Sequence, residues 1–263
     1  MPFKKALWWI AATLILTVAA FWRGYLSNFG DASWQVHFHA LTATGWMALL
    51  AFQTWSIQNG ARDAHRTTGL LVLVLTPLFL GAAFATFGTF STSTNIFAKM
   101  YGAKLTLVDL TAAVMLVVFV HQALRHRRQV RLHAGYMLST LFLLSMPILS
   151  RLFPGFVPGL TIRGLDDMGL FAGSVHLAHA VGLAIAVTLY LQNRKQGQPF
   201  LIAAVWFVAQ SLLFEFVAET ETWISLYHGF ASISPAVLVS SGVVIGGAAV
   251  YAGWRAGASA SRQ

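Results

Sequence analysis

Nine histidines and eight acidic residues stand in a chain that is otherwise mostly apolar, and their spacing is where chemistry is to be sought. His176 and His179 are three residues apart, so a helix puts both on one face. His37 and His39 are two apart and point to different faces. His39, Trp46 and Gln53 recur every seven residues and form a single stripe, which selects His39 as the inward-facing member of its pair. Asp109 and Glu215 are acids inside long apolar runs, and Glu215 shares a stripe with Ser211. Charged groups at the centre of a bilayer cost about 2.5–3.5 kcal/mol each on insertion scales, so such groups are expected to face a bundle interior. A second set lies near helix ends: His65, His121, His126 and His133, with Arg62, Arg66, Arg127, Arg128 and Arg131 around them.

Three kinds of chemistry could use these side chains. Neutral imidazoles from facing helices can clamp a haem iron. His39 with His176 or His179 would make an outer b-type haem site, and His65 or His121 with His133 an inner one, with the neighbouring arginines on the propionates. Electrons would then cross the membrane to or from a redox partner. In the second chemistry, His39, Asp109, His176, His179 and Glu215 hold zinc or iron in a membrane hydrolase, with Glu215 as general base and Ser174 behind the ligands. The H-x-x-H pair lacks the glutamate of the zinc-protease helix. In the third, intramembrane acids and histidines relay protons for a transporter of a small-molecule substrate, although the sequence shows no inverted repeat. Blander roles compete with all three. Histidines at helix ends sit at the headgroup layer, Trp46 and the other aromatics pack or anchor, and Asp109 can pair with Lys104.

The elements that must position these groups are membrane spans. Of 263 residues, 57% are hydrophobic and only 10% are charged, and the mean hydropathy is +0.68. Water could not solvate such a surface, whose charged fraction is far below the ~25% usual for soluble domains. The absence of cysteine excludes disulfides, iron–sulfur clusters and thiolate-ligated haem. The net charge of +9 belongs to loops that orient a membrane protein rather than to a nucleic-acid surface, since no basic helix or nucleic-acid motif accompanies it. Apolar runs predict a single integral domain over 1–263, an all-α polytopic bundle of about eight spans. These run over Lys5–Phe21, Trp34–Ile57, Thr67–Phe90, Gly102–Leu124, His133–Leu152, Gly169–Gln192, Phe200–Val217 and Pro235–Trp254. The first reads as a retained span rather than a cleaved leader, because bulky Phe21 and Trp22 follow the run.

Basic residues set the orientation. Alternating spans put Lys4, Lys5, Arg62, Arg66, Arg125, Arg127, Arg128, Arg131, Arg194, Lys195, Arg255 and Arg262 on one side. Arg23, Lys99, Lys104, Arg151 and Arg163 fall on the other. The richer side is cytoplasmic, so both termini are expected there. Gly242 and Gly246 give the last span a small-residue spacing suited to close packing within the chain.

Spans two to five carry a resemblance. The stretches FHALTATGWMALLAFQTWSIQNGARDAHRTTG and RHRRQVRLHAGYMLSTLFLLSMPILSRL resemble a group of uncharacterised bacterial multi-pass membrane proteins. That group has a histidine–tryptophan–glutamine helix, an HR-x-x-G turn and a basic H-x-x-x-M helix start. The matching positions are His39, Trp46, Gln53, His65, Arg66, Gly69, His133, Met137, Pro147 and Arg151. The resemblance implies a bacterial cytoplasmic (inner) membrane and brings no established activity. The histidine layers are also similar, in architecture only, to the ascorbate-reducible two-haem cytochrome b family, whose ligands lie inside the helices. The histidine–aspartate–serine membrane hydrolases related to the progestin and adiponectin receptors use groups similar to the metal set, without a full motif here.

Overall fold

A computed structural model describes residues 3–259 and is helical almost throughout. In chain order the helices are α1 Ala6–Phe21, α2 Trp34–Gln58, α3 Arg62–Gly69, α4 Val72–Thr92, α5 Ile96–Arg125 and α6 Val130–Ser139. They continue with α7 Phe142–Phe156, α8 Leu170–Gln192, α9 Gln198–Leu212, α10 Glu221–Gly229 and α11 Pro235–Ser259. A π turn, Leu213–Val217, prolongs α9.

Among the described residues, six helical segments are long and apolar enough to cross a membrane: Val72–Thr92, Ile96–Arg125, Val130–Phe156, Leu170–Gln192, Gln198–Val217 and Pro235–Ala258. These correspond to the third to eighth expected spans. The first two fall short for different reasons. Helix α1 has only 16 residues. Helix α2 has 25, but Gln35, His37, His39, Gln53 and Gln58 lower its hydropathy.

Two of the spans begin with a short helix and a break, and the breaks are alike. Leu70 N donates to Thr67 O (3.3 Å) and Leu71 N to Thr68 O (3.0 Å). Thr140 N donates to Met137 O (3.2 Å) and Leu141 N to Leu138 O (3.0 Å). Such i→i−3 bonds tighten the turn and re-aim the helix that follows. Pro77 and Pro147 each lie seven residues beyond the break, inside α4 and α7. The helix–break–helix pattern that follows α2 therefore recurs after α5, around the two short basic motifs.

Packing is dictated by small residues and buried aromatics. Helix α11 lies against α4 and α5. A Cβ on Gly242 would stand 2.5 Å from Leu80 O, and one on Gly246 would stand 2.7 Å from Pro77 Cα. The glycine spacing thus serves contact within the chain. One core gathers Ile10, Trp46, Phe79, Leu116 and Val250, so it ties α1, α2, α4, α5 and α11. A second gathers Phe119, Tyr136, Phe200 and Phe207, and a third Tyr101, Val175 and Phe214. Helix α8 packs on α7 and α9, and α2 on α1, α3 and α4.

Candidate functional site

The residues of the His39 stripe each make a defined connection. Trp46 is fully buried, and its indole N–H donates to Thr140 Oγ1 (2.9 Å), at the second helix break. The Gln53 amide faces the first break. The orientation that satisfies all its neighbours has its nitrogen donating to His65 Nδ1 (2.6 Å) and His65 O (3.0 Å), and its oxygen accepting from Gly69 N (3.0 Å) and Thr68 Oγ1 (2.6 Å). The HR-x-x-G turn is therefore held by the glutamine of the preceding helix. His39 packs against Phe79 (ring centroids 5.7 Å), and its Nδ1 is buried without a partner. His37 points elsewhere, to the Tyr25 hydroxyl (2.8 Å), as its helical phase requires.

Around His39 lies a deep polar layer. Arg151 and Asp109 are within electrostatic reach of one another, and Arg151 is also within reach of His39. The three come from α2, α5 and α7, lie deep in the bundle and yet each keeps some accessible surface. Arg151 Nη1 donates to Pro147 O (2.8 Å), and the guanidinium stacks on Phe21 of α1 (4.7 Å). Asp109 makes no hydrogen bond and no ion pair with any described residue. Lys104 pairs with Glu219 (2.7 Å), not with Asp109, because the turn between the π turn and α10 brings Glu219 beside it while Asp109 lies in reach of Arg151 on α7. Arg151, counted with the outer charges, is half-buried and faces the acid. Sequence counting missed it because a charge near a span end is indistinguishable from a loop charge until the helix phase is known.

A second cluster joins α8 and α9. His176 Nδ1 meets Ser211 Oγ at 2.7 Å and its Nε2 meets Glu215 Oε2 at 3.1 Å. His179, one turn on, is 2% exposed, and neither ring nitrogen is hydrogen-bonded. Gln210 lies beside it with Oε1 also unpaired, while its Nε2 donates to Val108 O and Thr111 Oγ1 (both 2.9 Å).

The inner histidines divide. His133 Nδ1 donates to Ala123 O (2.9 Å), which leaves Nε2 bare. His65 Nδ1 lies 2.6 Å from the turned Gln53 amide nitrogen and 3.3 Å from Gln53 O, and accepting the shorter bond places the ring proton on Nε2. These two histidines are within electrostatic reach, and the network gives them opposite tautomers. His121 turns away toward Ala249 O of α11 (3.4 Å). His126 stacks on Tyr136 (5.9 Å) in the loop, where burial first and Arg125 second hold it below its ordinary value of 6.5.

The expected cofactor sets can be compared with this geometry. His39 sits on the α1–α4 side of the bundle, whereas His176 and His179 face α9. No hydrogen bond or ring contact joins His39 to His176 or His179 among the described residues. Among the described residues, no group of three or more His, Cys, Asp or Glu side chains is placed to hold a metal ion. The ligand set His39, Asp109, His176, His179 and Glu215 is therefore split: one pair faces Arg151, and the other three residues cluster on α8 and α9. Comparison with family models, with curated proteins and with solved structures returns no match.

Proposed function

We propose that this chain is a proton-coupled carrier of a small anion in a bacterial cytoplasmic membrane, with α1 and α2 completing eight spans and both termini inside. The observation that carries the reading is Asp109, an intramembrane carboxylate that faces Arg151 without closing on it and has no other partner among the described residues. Breaking a buried ion pair is costly, because it leaves a charge unanswered. A site that keeps its acid and its guanidinium apart in the same layer calls for mobile partners for both. Guanidinium stays charged and binds carboxylate or phosphate through a planar fork. Ionised Asp109 neutralises Arg151 and competes with an incoming anion. Protonated Asp109 leaves Arg151 free to take the anion, so proton and anion bind together. His39, with an unpaired Nδ1 in the same layer, can pass the proton. On the inner side, His65 offers an N–H and His133 a bare nitrogen, a donor and an acceptor suited to relay.

The test uses proteoliposomes containing a pH-sensitive dye. Monocarboxylates, dicarboxylates and phosphate are added outside in turn. One of them is expected to acidify the lumen faster than in protein-free vesicles. Asp109→Asn should then carry the anion without the proton, and Arg151→Gln should carry neither. Luminal pH unmoved by every anion, or unchanged coupling in Asp109→Asn, refutes the reading.

A second reading rests on His133. Its Nδ1–H bond to a backbone carbonyl orients Nε2 as the ring of a metal-ligating histidine is oriented, so it could supply one axial ligand to a haem. A Soret band lost in His133→Ala would support that reading, and its absence after expression with ample haem would remove it.

A further inference from the structure

We propose that Ser211, His176 and Glu215 form a nucleophilic serine site, at the end of α8 and α9 opposite their connecting turn, that takes the acyl esters of membrane lipids. It is independent of the carrier reading, because none of its residues belongs to the Asp109–Arg151 layer.

With the imidazole neutral and the carboxylate ionised, the two hydrogen bonds fix the tautomer. An ionised carboxylate only accepts, so His176 Nε2 carries the proton given to Glu215 Oε2 (3.1 Å). In the neutral ring Nδ1 is then bare, and it must accept from the Ser211 hydroxyl (2.7 Å). That is the order nucleophile, base, orienting acid, defined by geometry and roles rather than by sequence position. Serine and threonine hydroxyls inside helices usually bond back to a carbonyl one turn earlier. Thr42, Thr76 and Thr188 do so in this chain. Ser211 does not, and its hydroxyl faces the imidazole of the neighbouring helix instead. The imidazole is held edge-on by fully buried Phe214 (5.5 Å, 90°). Glu215 lies within the π turn, a feature frequent at functional sites.

The surroundings indicate the substrate class. The group is reachable, with side-chain exposures of 35% for His176 and 51% for Glu215. Val208, Leu212 and Phe216 are exposed at 45%, 52% and 71%. They are four residues apart, so they run as an apolar strip beside the Ser211–Glu215 stripe. An acyl chain lying along the strip brings its ester to Ser211. The hydroxyl oxygen attacks the ester carbonyl carbon as its proton passes to His176 Nδ1. The carbon–oxygen bond to the alcohol breaks, and the alcohol leaves with that proton. Water then attacks the acyl-serine, gives a proton to His176, and the released serine oxygen recovers it as the fatty acid departs. Glu215 stays ionised and keeps Nε2–H in place.

The chain in its membrane is treated with a fluorophosphonate probe and digested, and the labelled peptide is identified by mass. Labelling at Ser211 is expected, with loss in Ser211→Ala and a rate lowered about a hundredfold or more in His176→Ala. Absence of labelling in the wild type, or labelling confined to another serine, overturns the proposal. The chain has no cysteine, so Ser211→Cys introduces a single thiol. If His176 is its base, iodoacetamide alkylates that thiol below the pH at which ordinary thiols react, and adding His176→Ala removes the advantage. An alkylation profile that is the same with and without His176 also overturns it.

Discussion

Substituting Gly242 by alanine tests the helix contact that closes the bundle. The added Cβ would lie 2.5 Å from Leu80 O and 2.7 Å from both Cα and N of Gly81, all of them backbone atoms. No side chain can swing aside, so α11 must retreat from α4 by about 0.7–0.9 Å to restore ordinary contact. A gap of about 0.5–1 Å forfeits a quarter to a half of the attraction at each facing pair. Overpacking of this kind costs about 1–3 kcal/mol, and the rigid neighbours place Gly242→Ala toward the upper end. At roughly 2–4 °C per kcal/mol for a chain near this length, Tm in mild detergent should fall by about 5 °C or more. Gly247 provides the control. It lies on the same helix, but a Cβ there meets nothing within 4 Å. Gly247→Ala should be neutral, or gain up to about 1 kcal/mol from helix propensity. Melting followed by size-exclusion chromatography of both variants decides the matter. A Gly242→Ala protein as stable as wild type, or a Gly247→Ala protein equally weakened, refutes the packing argument.

Trp46→Phe removes the donor to Thr140 Oγ1, whose own hydroxyl still donates to Met137 O. The loss should be about 1–2 kcal/mol, read from the same melt, and adding Thr140→Val to Trp46→Phe should cost less than the sum of the single changes. Gln53→Ala frees His65 Nδ1 and unties Thr68 and Gly69. It should speed hydrogen exchange across Arg62–Leu71, while exchange near His133 stays unchanged. Acid should destabilise the protein partly through His126. Its folded value lies below the ordinary 6.5, so below 6.5 the unfolded state binds the additional proton and stability falls with falling pH. Melts at about pH 7.5 and about pH 5.5 should show a smaller drop for His126→Asn than for wild type, and equal drops would remove this contribution.

The layout of helices was legible in the sequence because it depends on local composition. Runs of about 20 apolar residues must satisfy their backbone internally once in lipid, and helix is the way to do so within one segment. The stripe His39–Trp46–Gln53 and the rejection of His37 followed from helical period alone, and the contacts of His37 with Tyr25 and of Trp46 with Thr140 agree with that phase. The shared stripe of Ser211 and Glu215 was legible for the same reason. Which histidines meet was not. Depth along a helix says nothing of azimuth around the bundle, and the partners of His39 and His176, Phe79 on α4 and Ser211 on α9, are set by packing. Arg151 looked like a loop charge because only the packing of α7 on α1 and α8 turns it inward. The tautomer of His65 depends on an amide twelve residues earlier, that of His133 on a carbonyl ten residues earlier, and the His176 pair on a helix more than thirty residues away. Composition and period therefore determined six of the expected spans and the faces of the helices whose stripes were read. Tertiary packing alone decided which polar groups share a site, because a helix satisfies its own backbone without reference to its neighbours and leaves its side chains to find partners only when the bundle closes.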